Sequence, residues 1–511
     1  MNLFANLVAS LKNRKPDAPA FIDASDGKIT TWKALNNRMI AVAKELDLRN
    51  PDKLRPIALL VDRKPDSVAA MLGVISMSCW YVPIDAELSP ERISILLSVC
   101  EPELIIDCAG SSFETDICPI IHIRDLTVMD FPICEYPEEF YGHRLTNIPM
   151  FGIFTSGSTG IPKLVVKNFD AMWSFTEVYC KTFGFTDKEI FGNQIPFYFD
   201  ASTKDIYSTI YLGATCVIIP QQTFSFPVNL VKILNDYRVS TIVWVPSALG
   251  IAAKFNVFSA SVPEYLKNVL FVGERMPVKY LNLWIDSLPG CRFVNLYGST
   301  EVAGNSCYYV IDRRFDGADI LPIGKAFEGT EVFLIDPETG LEGDEGEIAV
   351  AGPGLAEMYY RDFEKTQAAF RLITLPEYKS VTGYGCHEKF CGTAYFSGDF
   401  GRRNENGELV CISRRDSQIK HMGHRIELGE IESAASALPC VDEACCFYDA
   451  EKEKIILYFS SPADSGSEVR RALAAVLPKY ELPHKYIWSE ALPHNRNGKI
   501  DRAALKQKHG L

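Results

Sequence analysis

The chain predicts an α/β fold, with a large N-terminal part built of several subdomains and a small α+β C-terminal part. Three observations carry that prediction. At 511 residues the chain exceeds what one hydrophobic core supports, so more than one domain is expected. Up to about residue 400, short apolar runs of strand length alternate with helix-length segments, the pattern of largely parallel sheets with helical crossovers. From about Leu321 the texture shifts to short strands and Gly-rich turns, and near Arg414 it shifts again to a charged stretch followed by a helix start.

In chain order, Met1 to Lys15 carries Leu3, Phe4, Leu7, Val8 and Leu11, a helical stripe. No basic region precedes it and no long apolar core follows, so it is not a secretion signal. Buried-strand candidates are Ile57 to Val61, Leu104 to Ile106, Thr215 to Ile219, Thr241 to Val245, Val269 to Val272 and Phe293 to Leu296. Pro65 to Ser78 and Val228 to Tyr237 are helix candidates between them. Gly340, Gly343, Gly346, Gly352 and Gly354 punctuate the following region, which predicts a small β-barrel or sheet subdomain. Ile426 to Glu432 reads as the helix start of the last domain. The expected domains are 1–414 and 415–511.

Composition narrows the function. A net charge of −13 argues against nucleic acid and anionic membrane as partners. No apolar run approaches transmembrane length. The 15 cysteines are odd in number and scattered, as suits free thiols in a reducing compartment. A cytoplasmic monomer is therefore expected. Cys386, His387 and Cys391 cluster, but they lack the second paired half of a zinc site.

The most informative stretch is Thr155-Ser156-Gly157-Ser158-Thr159-Gly160-Ile161-Pro162-Lys163, directly after the apolar run Phe151 to Phe154. Glycines allow backbone N–H groups to approach an anion closely, and the hydroxyls add donors without charge. Such a loop suits a polyphosphate. It is not a Walker A loop, because no Gly-Lys-Ser/Thr follows at the required spacing. Read alone, it is equally a Ser/Gly-rich tether.

Further stretches join this loop in order: Tyr81-Val82-Pro83-Ile84-Asp85, Asn295-Leu296-Tyr297-Gly298-Ser299-Thr300-Glu301, Tyr395-Phe396-Ser397-Gly398-Asp399, Arg414 with Asp416, Gln418 to Glu427, and Asn497-Gly498-Lys499-Ile500-Asp501. Together they resemble the motifs of the adenylate-forming enzymes, the superfamily of acyl-CoA synthetases, luciferases and amino-acid adenylation domains of nonribosomal peptide synthesis. The resemblance spans essentially the whole chain. It implies two layered α/β sheets plus a small β-barrel in the N-terminal domain, and a mobile C-terminal domain. It implies ATP and Mg²⁺ as cofactors.

By the same resemblance, the Thr155–Lys163 loop would close over the β- and γ-phosphates, with Lys163 an auxiliary contact. Tyr297, in a segment with Asn295 and Gly298, would stack on adenine, Thr300 would touch the α-phosphate and Glu301 would hold Mg²⁺. Asp399 would bind both ribose hydroxyls, since a carboxylate accepts two hydrogen bonds at once, and Arg414 would also contact the ribose. Asp416 would be the hinge. Lys420, Gly423 and Arg425 would lie in the loop that enters the site for the thiol step. Lys499 would be the catalytic lysine, bridging the substrate carboxylate and the α-phosphate. Adenylation needs no protein nucleophile, only positioning and charge stabilisation. Four departures from the family pattern stand out: Leu164, Ser299, Phe396 and Ser413. None removes a group assigned to ATP or Mg²⁺.

Phe199-Asp200-Ala201-Ser202 resembles the Phe-Asp-x-Ser of amino-acid adenylation domains, whose aspartate pairs with the substrate ammonium. The residue reading alone leaves an N-cap aspartate open. The region from Asn193 to Tyr207 is especially similar to the D-alanine:carrier-protein ligases. Alignment with the family lines the substrate pocket with Asp200, Ala201, Lys204, Trp244, Leu270, Val272, Leu296, Gly304 and Asn305. Val272 stands where the D-alanine ligases carry cysteine, which puts D-alanine in doubt. Lys204, four residues after Asp200 on one helix face, pairs with an acidic substrate side chain, with Asp200, or with solvent. Trp244 shortens the pocket or walls it.

The implied reaction is activation of an amino acid with ATP, then transfer to the phosphopantetheine thiol of a separate carrier protein, since the sequence holds no carrier-type Gly-Gly-x-Ser. Arg470, Arg471 and Lys479 are candidate docking cations. An acyl- or aryl-CoA synthetase and a non-catalytic nucleotide-binding scaffold are the rival readings. The segment 373–393, longer than the usual connection, reads as a surface insertion or a partner-docking loop.

Overall fold

The computed structural model describes residues 15–130, 148–156, 162–255, 257–316, 319–375, 378–379, 386–387, 389–414, 418–450, 452–494, 500–502 and 504–505. The chain divides into two compact units, one of Met1–Ala86, Cys100–Ile153 and Leu164–Arg415, the other of Glu87–Val99, Phe154–Lys163 and Asp416–Leu511.

Among the described residues, the first unit holds a nine-stranded and a seven-stranded sheet. In the nine-stranded sheet, Pro19–Asp23, Thr215–Ile218, Ile190–Asn193, Thr241–Trp244, Asn268–Val272 and Arg292–Tyr297 run parallel as neighbours. Antiparallel strands Lys28–Thr31 on one side, and Cys307–Val310 with Lys325–Ala326 on the other, flank them. In the seven-stranded sheet, Ile57–Val61 pairs in parallel with Tyr81–Asp85 and with Leu104–Asp107. Ile57–Val61, Thr241–Trp244 and Asn268–Val272 are buried at every position. That is why they read as continuous apolar runs, since strands covered on both faces do not alternate.

The two faces are nonetheless distinct. Leu270 and Val272 enter one core together with Val243 and Leu296, whereas Val269 and Phe271 enter a second core with Trp244. The helix Phe169–Phe183 supports the first core. Asn168 caps its start, accepting from the Ala171 N–H at 2.7 Å, and Gly184 ends it in the left-handed region at φ 67°. The first is an ordinary helix start signal and the second an ordinary stop signal. Its buried Phe175, Tyr179 and Phe183 form a run of ring contacts that reaches Phe327.

Among the described residues, the Gly-rich region takes the form of a five-stranded antiparallel sheet. The 14-residue strand Phe390–Arg403 is long enough to pair with Phe370–Leu375 along its first half and Leu409–Arg414 along its second. The segment 373–393, expected as an insertion or docking loop, therefore begins and ends as paired strand, with Ile373 opposite Gly392 and Leu375 opposite Phe390.

In the second unit, Lys454–Ser460 is the centre of a three-stranded sheet, antiparallel to Glu443–Asp449 and parallel to Lys485–Ser489. The helices Leu428–Ser436 and Gly466–Val476 bury Ile431, Val469 and Leu473 with Leu457 and Phe459 of the sheet. The strands Gln418–His421 and His424–Glu427 form a hairpin. Its two-residue turn, Met422 at φ 50° and Gly423 at φ 82°, has both residues left-handed, as a type I′ turn requires. No helix among the described residues is long and apolar enough to cross a membrane.

Candidate active site

Strand Arg292–Tyr297 delivers Tyr297 to a polar cluster at its end. The Tyr297 hydroxyl donates to Asp399 Oδ2 at 2.7 Å. Burial, and then the charge of Asp399, push the phenol well above its usual range, so it remains a neutral donor. Asp399 is itself 3% exposed, and its N–H donates to Ser397 Oγ, which in turn donates to the Ile348 carbonyl. Each buried polar group is thereby partnered, as burial demands. Asp399 lies directly opposite Arg414 in the sheet register; the Arg414 side chain is outside the described residues.

The loop after Tyr297 is closed by the Ser306 N–H donating to the Tyr297 carbonyl at 2.8 Å. Inside it, Gly298 and Thr300 are half-buried and Glu301 is fully buried. Glu301 Oε1 accepts from the Tyr359 hydroxyl at 2.8 Å. Asn295 is engaged elsewhere, its side-chain N–H donating to the Pro322 carbonyl at 2.8 Å.

A second cluster surrounds Asp200. The helix Ser202–Leu212 begins after Ala201, which occupies the cap position without a side-chain cap bond. The Asp200 carboxylate is therefore not spent on capping. Instead its Oδ1 accepts from Lys167 Nζ, an ion pair in which the Lys167 side chain is 0% and the Asp200 side chain 12% exposed. No other hydrogen bond reaches the Asp200 carboxylate among the described residues, so its second oxygen is open. Lys204 is 2% exposed, and burial drives its ammonium down to about 8 against the opposing pull of Asp200 and Asp205. Asp205 accepts from Asn193 Nδ2 at 2.9 Å, and burial pushes its carboxyl up to about 7.

The apolar wall differs in one place from the expected lining. Leu270, Val272 and Leu296 share a core, against which Ala201 packs. Trp244 does not belong to that face. It aligns with Phe271 in the strand register, donates its indole N–H to the Gly192 carbonyl at 2.8 Å and packs edge-on to Phe224. The preceding residue, Val243, lies in the core of Leu270 and Val272. Strand side chains alternate, so a displacement of one residue exchanges the two faces.

Gly304 sits at φ 63°, and a Cβ there would lie 1.9 Å from the Phe175 ring. Left-handed backbone and a blocked Cβ position act together. Gly304→Ala is expected to cost about 2–4 kcal/mol from backbone strain and overpacking, measured by urea denaturation. Asn305 is 1% exposed, and neither its Oδ1 nor its Nδ2 has a partner among the described residues. Orphaned buried amides are costly.

The flanks of the Ser/Gly loop belong to the second unit. Ser156 Oγ donates to the Arg425 carbonyl at 2.9 Å and accepts from the Glu427 N–H at 3.1 Å. Lys163 Nζ lies 3.9 Å from Glu427 Oε1, and Thr155 is buried. Lys420 and Arg425 stand directly opposite one another in the hairpin register, where like charges repel. Gly157, Ser158, Thr159, Gly160, Asp416 and Lys499 lie outside the described residues.

Glu301 is the residue expected to hold magnesium. Among the described residues no group of three or more His, Cys, Asp or Glu side chains is placed to hold a metal. Glu301 offers a single buried carboxylate, which fits a hard dication whose remaining ligands are phosphate and water oxygens. Three residues that contact these clusters are not read from the sequence: Lys167, Tyr359 and Val243. Lys167 did leave a signal, a lysine that directly follows the apolar run Leu164-Val165-Val166 of the strand Lys163–Asn168, where a charge needs a buried partner.

Comparison with known proteins places this geometry. Residues 9–360 match the AMP-binding enzyme family and residues 430–499 match the AMP-binding enzyme C-terminal domain. The D-alanine--D-alanyl carrier protein ligase of Bacillus licheniformis is 28% identical over 508 residues, covering 97% of each chain. Tyrocidine synthase 3 of Brevibacillus parabrevis is 29% identical over 518 residues, but that match covers 98% of this chain and 8% of the synthase. The Vibrio cholerae adenylation domain AlmE, solved with glycyl-adenosine-5'-phosphate, superposes with a TM-score of 0.80 at 19% identity, covering 99% of this chain and 97% of that one. The last likeness shows the shared fold. With both family regions matched in order, the chain belongs to the AMP-binding enzyme family.

Proposed function

We propose that this protein activates an amino acid with MgATP and passes the acyl group to the phosphopantetheine thiol of a carrier protein. In the first step a carboxylate oxygen of the amino acid attacks the α-phosphorus and pyrophosphate leaves. In the second the thiol sulfur attacks the acyl carbon and AMP leaves. The observation that carries the reading is Asp200: a buried carboxylate, not used as a helix cap, anchored by Lys167 through one oxygen with the other open. An ammonium group would complete it through a charge-assisted bond.

Around that anchor the other proposed roles follow the residues. Asp399, oriented by Tyr297, receives the ribose diol, and Arg414, opposite it in the sheet, lies beside the same sugar. Thr300 meets the α-phosphate, Glu301 would hold Mg²⁺, and that ion, when bound, would screen the phosphate charge. The loop from Thr155 to Lys163 closes over the outer phosphates. Lys499 neutralises the approach of carboxylate to phosphate. Asp416 is the proposed pivot between domains 1–414 and 415–511, and Lys420, Gly423 and Arg425 serve the thiol step. Arg470, Arg471 and Lys479 are exposed and offer a basic surface to an acidic carrier.

A second reading has an observation of its own. Lys167 already neutralises Asp200, as would suit a carboxylic acid without an ammonium group, activated for transfer to coenzyme A. ATP–pyrophosphate exchange across L- and D-amino acids and simple carboxylic acids separates the two. Under the proposed reading, Asp200→Ala lowers kcat/KM for the amino acid by at least about 100-fold, since a buried ion pair is lost. An unchanged kcat/KM would favour the carboxylic acid.

A further inference from the structure

The Asp200 cluster contains more positive charge than one carboxylate balances. Lys167 and Asp200 cancel as a buried pair. Lys204, in the first turn of the helix that follows Asp200, is 2% exposed, and no hydrogen bond or ion pair reaches its Nζ among the described residues. The nearby charges that act on it are Asp200, Asp205 and Lys167. Asp200 is taken by Lys167. Asp205 is held by Asn193 Nδ2 at 2.9 Å, and burial brings its carboxyl up to about 7, so near neutral pH it carries only part of a charge. A buried ammonium that no hydrogen bond or close ion pair reaches is expensive to keep. Helix Ser202–Leu212 retains one immediately beside the residue proposed to bind the substrate ammonium.

We propose that Lys204 is a specificity-determining residue that takes a second carboxylate, on the side chain of an acidic amino acid. The inference rests on the amino-acid-activating reading above. It also gives the Lys167–Asp200 pair a purpose. Lys167 consumes the charge of Asp200 that would otherwise pair with Lys204, which leaves Lys204 for the ligand and one Asp200 oxygen for the ammonium. The ligand class is thus an α-amino acid with an anionic side chain, complementary in both of its charges.

The test is ATP–pyrophosphate exchange with both enantiomers of glutamate and aspartate, their amides, alanine, and glutarate as a dicarboxylic acid lacking the amine. An acidic amino acid is expected to exceed its amide by at least about 100-fold in kcat/KM, since a site built for a polar group rejects the analogue that leaves it unpaired. Lys204→Met is expected to bring that ratio to within about 5-fold, and to melt above the wild type without substrate, because it removes an unpaired buried charge. The wild-type preference is also expected to weaken above pH about 8, where the Lys204 ammonium is lost.

A wild-type preference for a neutral amino acid would overturn the inference and leave the amino-acid reading intact. So would an acidic preference that survives Lys204→Met. Exchange with glutarate but with no amino acid would overturn the amino-acid reading while upholding the role of Lys204. Exchange with none of these compounds would overturn both.

Discussion

Lys499→Ala is expected to slow aminoacyl-AMP formation by about 10²–10³-fold, the usual loss when one preorganised charge-stabilising group is removed. The reason is electrostatic. The attacking carboxylate and the α-phosphate are both anionic, and the approach of one to the other is the barrier that a positioned cation lowers. Among the described residues, the cation nearest in sequence offers no ready replacement. Arg502, three residues on, is committed to Glu432, with Nη2 at 2.6 and 2.7 Å from its two oxygens, and it also donates to the Cys446 carbonyl. A bidentate guanidinium held in this way does not move to serve another site. Thioester formation from supplied aminoacyl-AMP is expected to continue, because that step makes no new contact between anions at phosphorus. The two half-reactions are measured separately, by pyrophosphate exchange and by carrier acylation from the preformed adenylate. An equal loss in both would contradict the assignment of Lys499 to the first.

The parallel core of the first unit was legible in the sequence because its strands are buried on both faces. Ile57–Val61 was located to the residue, and Asn268–Val272 and Arg292–Tyr297 to within one residue at each end. What the same burial hides is which face a side chain takes. With no polar alternation to set the phase, the sequence does not show that Val243 shares a core with Leu270 and Val272 while Trp244 packs in the other core. Pairing order was hidden for a different reason. Thr215–Ile218 joins Pro19–Asp23 across nearly two hundred residues, a contact that no local pattern encodes. Among polar residues, Asp200, Glu301 and Asp399 are singled out in the sequence by motif resemblance. Their partners Lys167 and Tyr359 are not, because a partner is chosen by three-dimensional placement and lies in a segment with no motif of its own.

Lys167→Met is expected to destabilise the first unit by about 3–5 kcal/mol, the cost of leaving one member of a buried ion pair without the other. Asp200→Ala is expected to cost at least as much. The charge it strands is the more deeply buried, at 0% side-chain exposure against 12% for Asp200. Among the described residues, stranded Lys167 would keep the Val302 carbonyl at 3.5 Å and the face of the Phe151 ring at 5.8 Å. Urea denaturation followed by intrinsic fluorescence measures both. The double variant Lys167→Met with Asp200→Leu is expected to recover most of the loss, since a well-packed apolar pair replaces a buried ion pair at little or no cost. A double variant as unstable as the sum of the single ones would show that the two residues act independently, and the pair would lose its meaning. The cycle also separates folding from recognition. If the recovered double variant folds as the wild type does yet activates no amino acid, the pair serves to bind the ammonium group. If it activates substrate undiminished, the pair serves only to hold strand Lys163–Asn168 against the start of helix Ser202–Leu212.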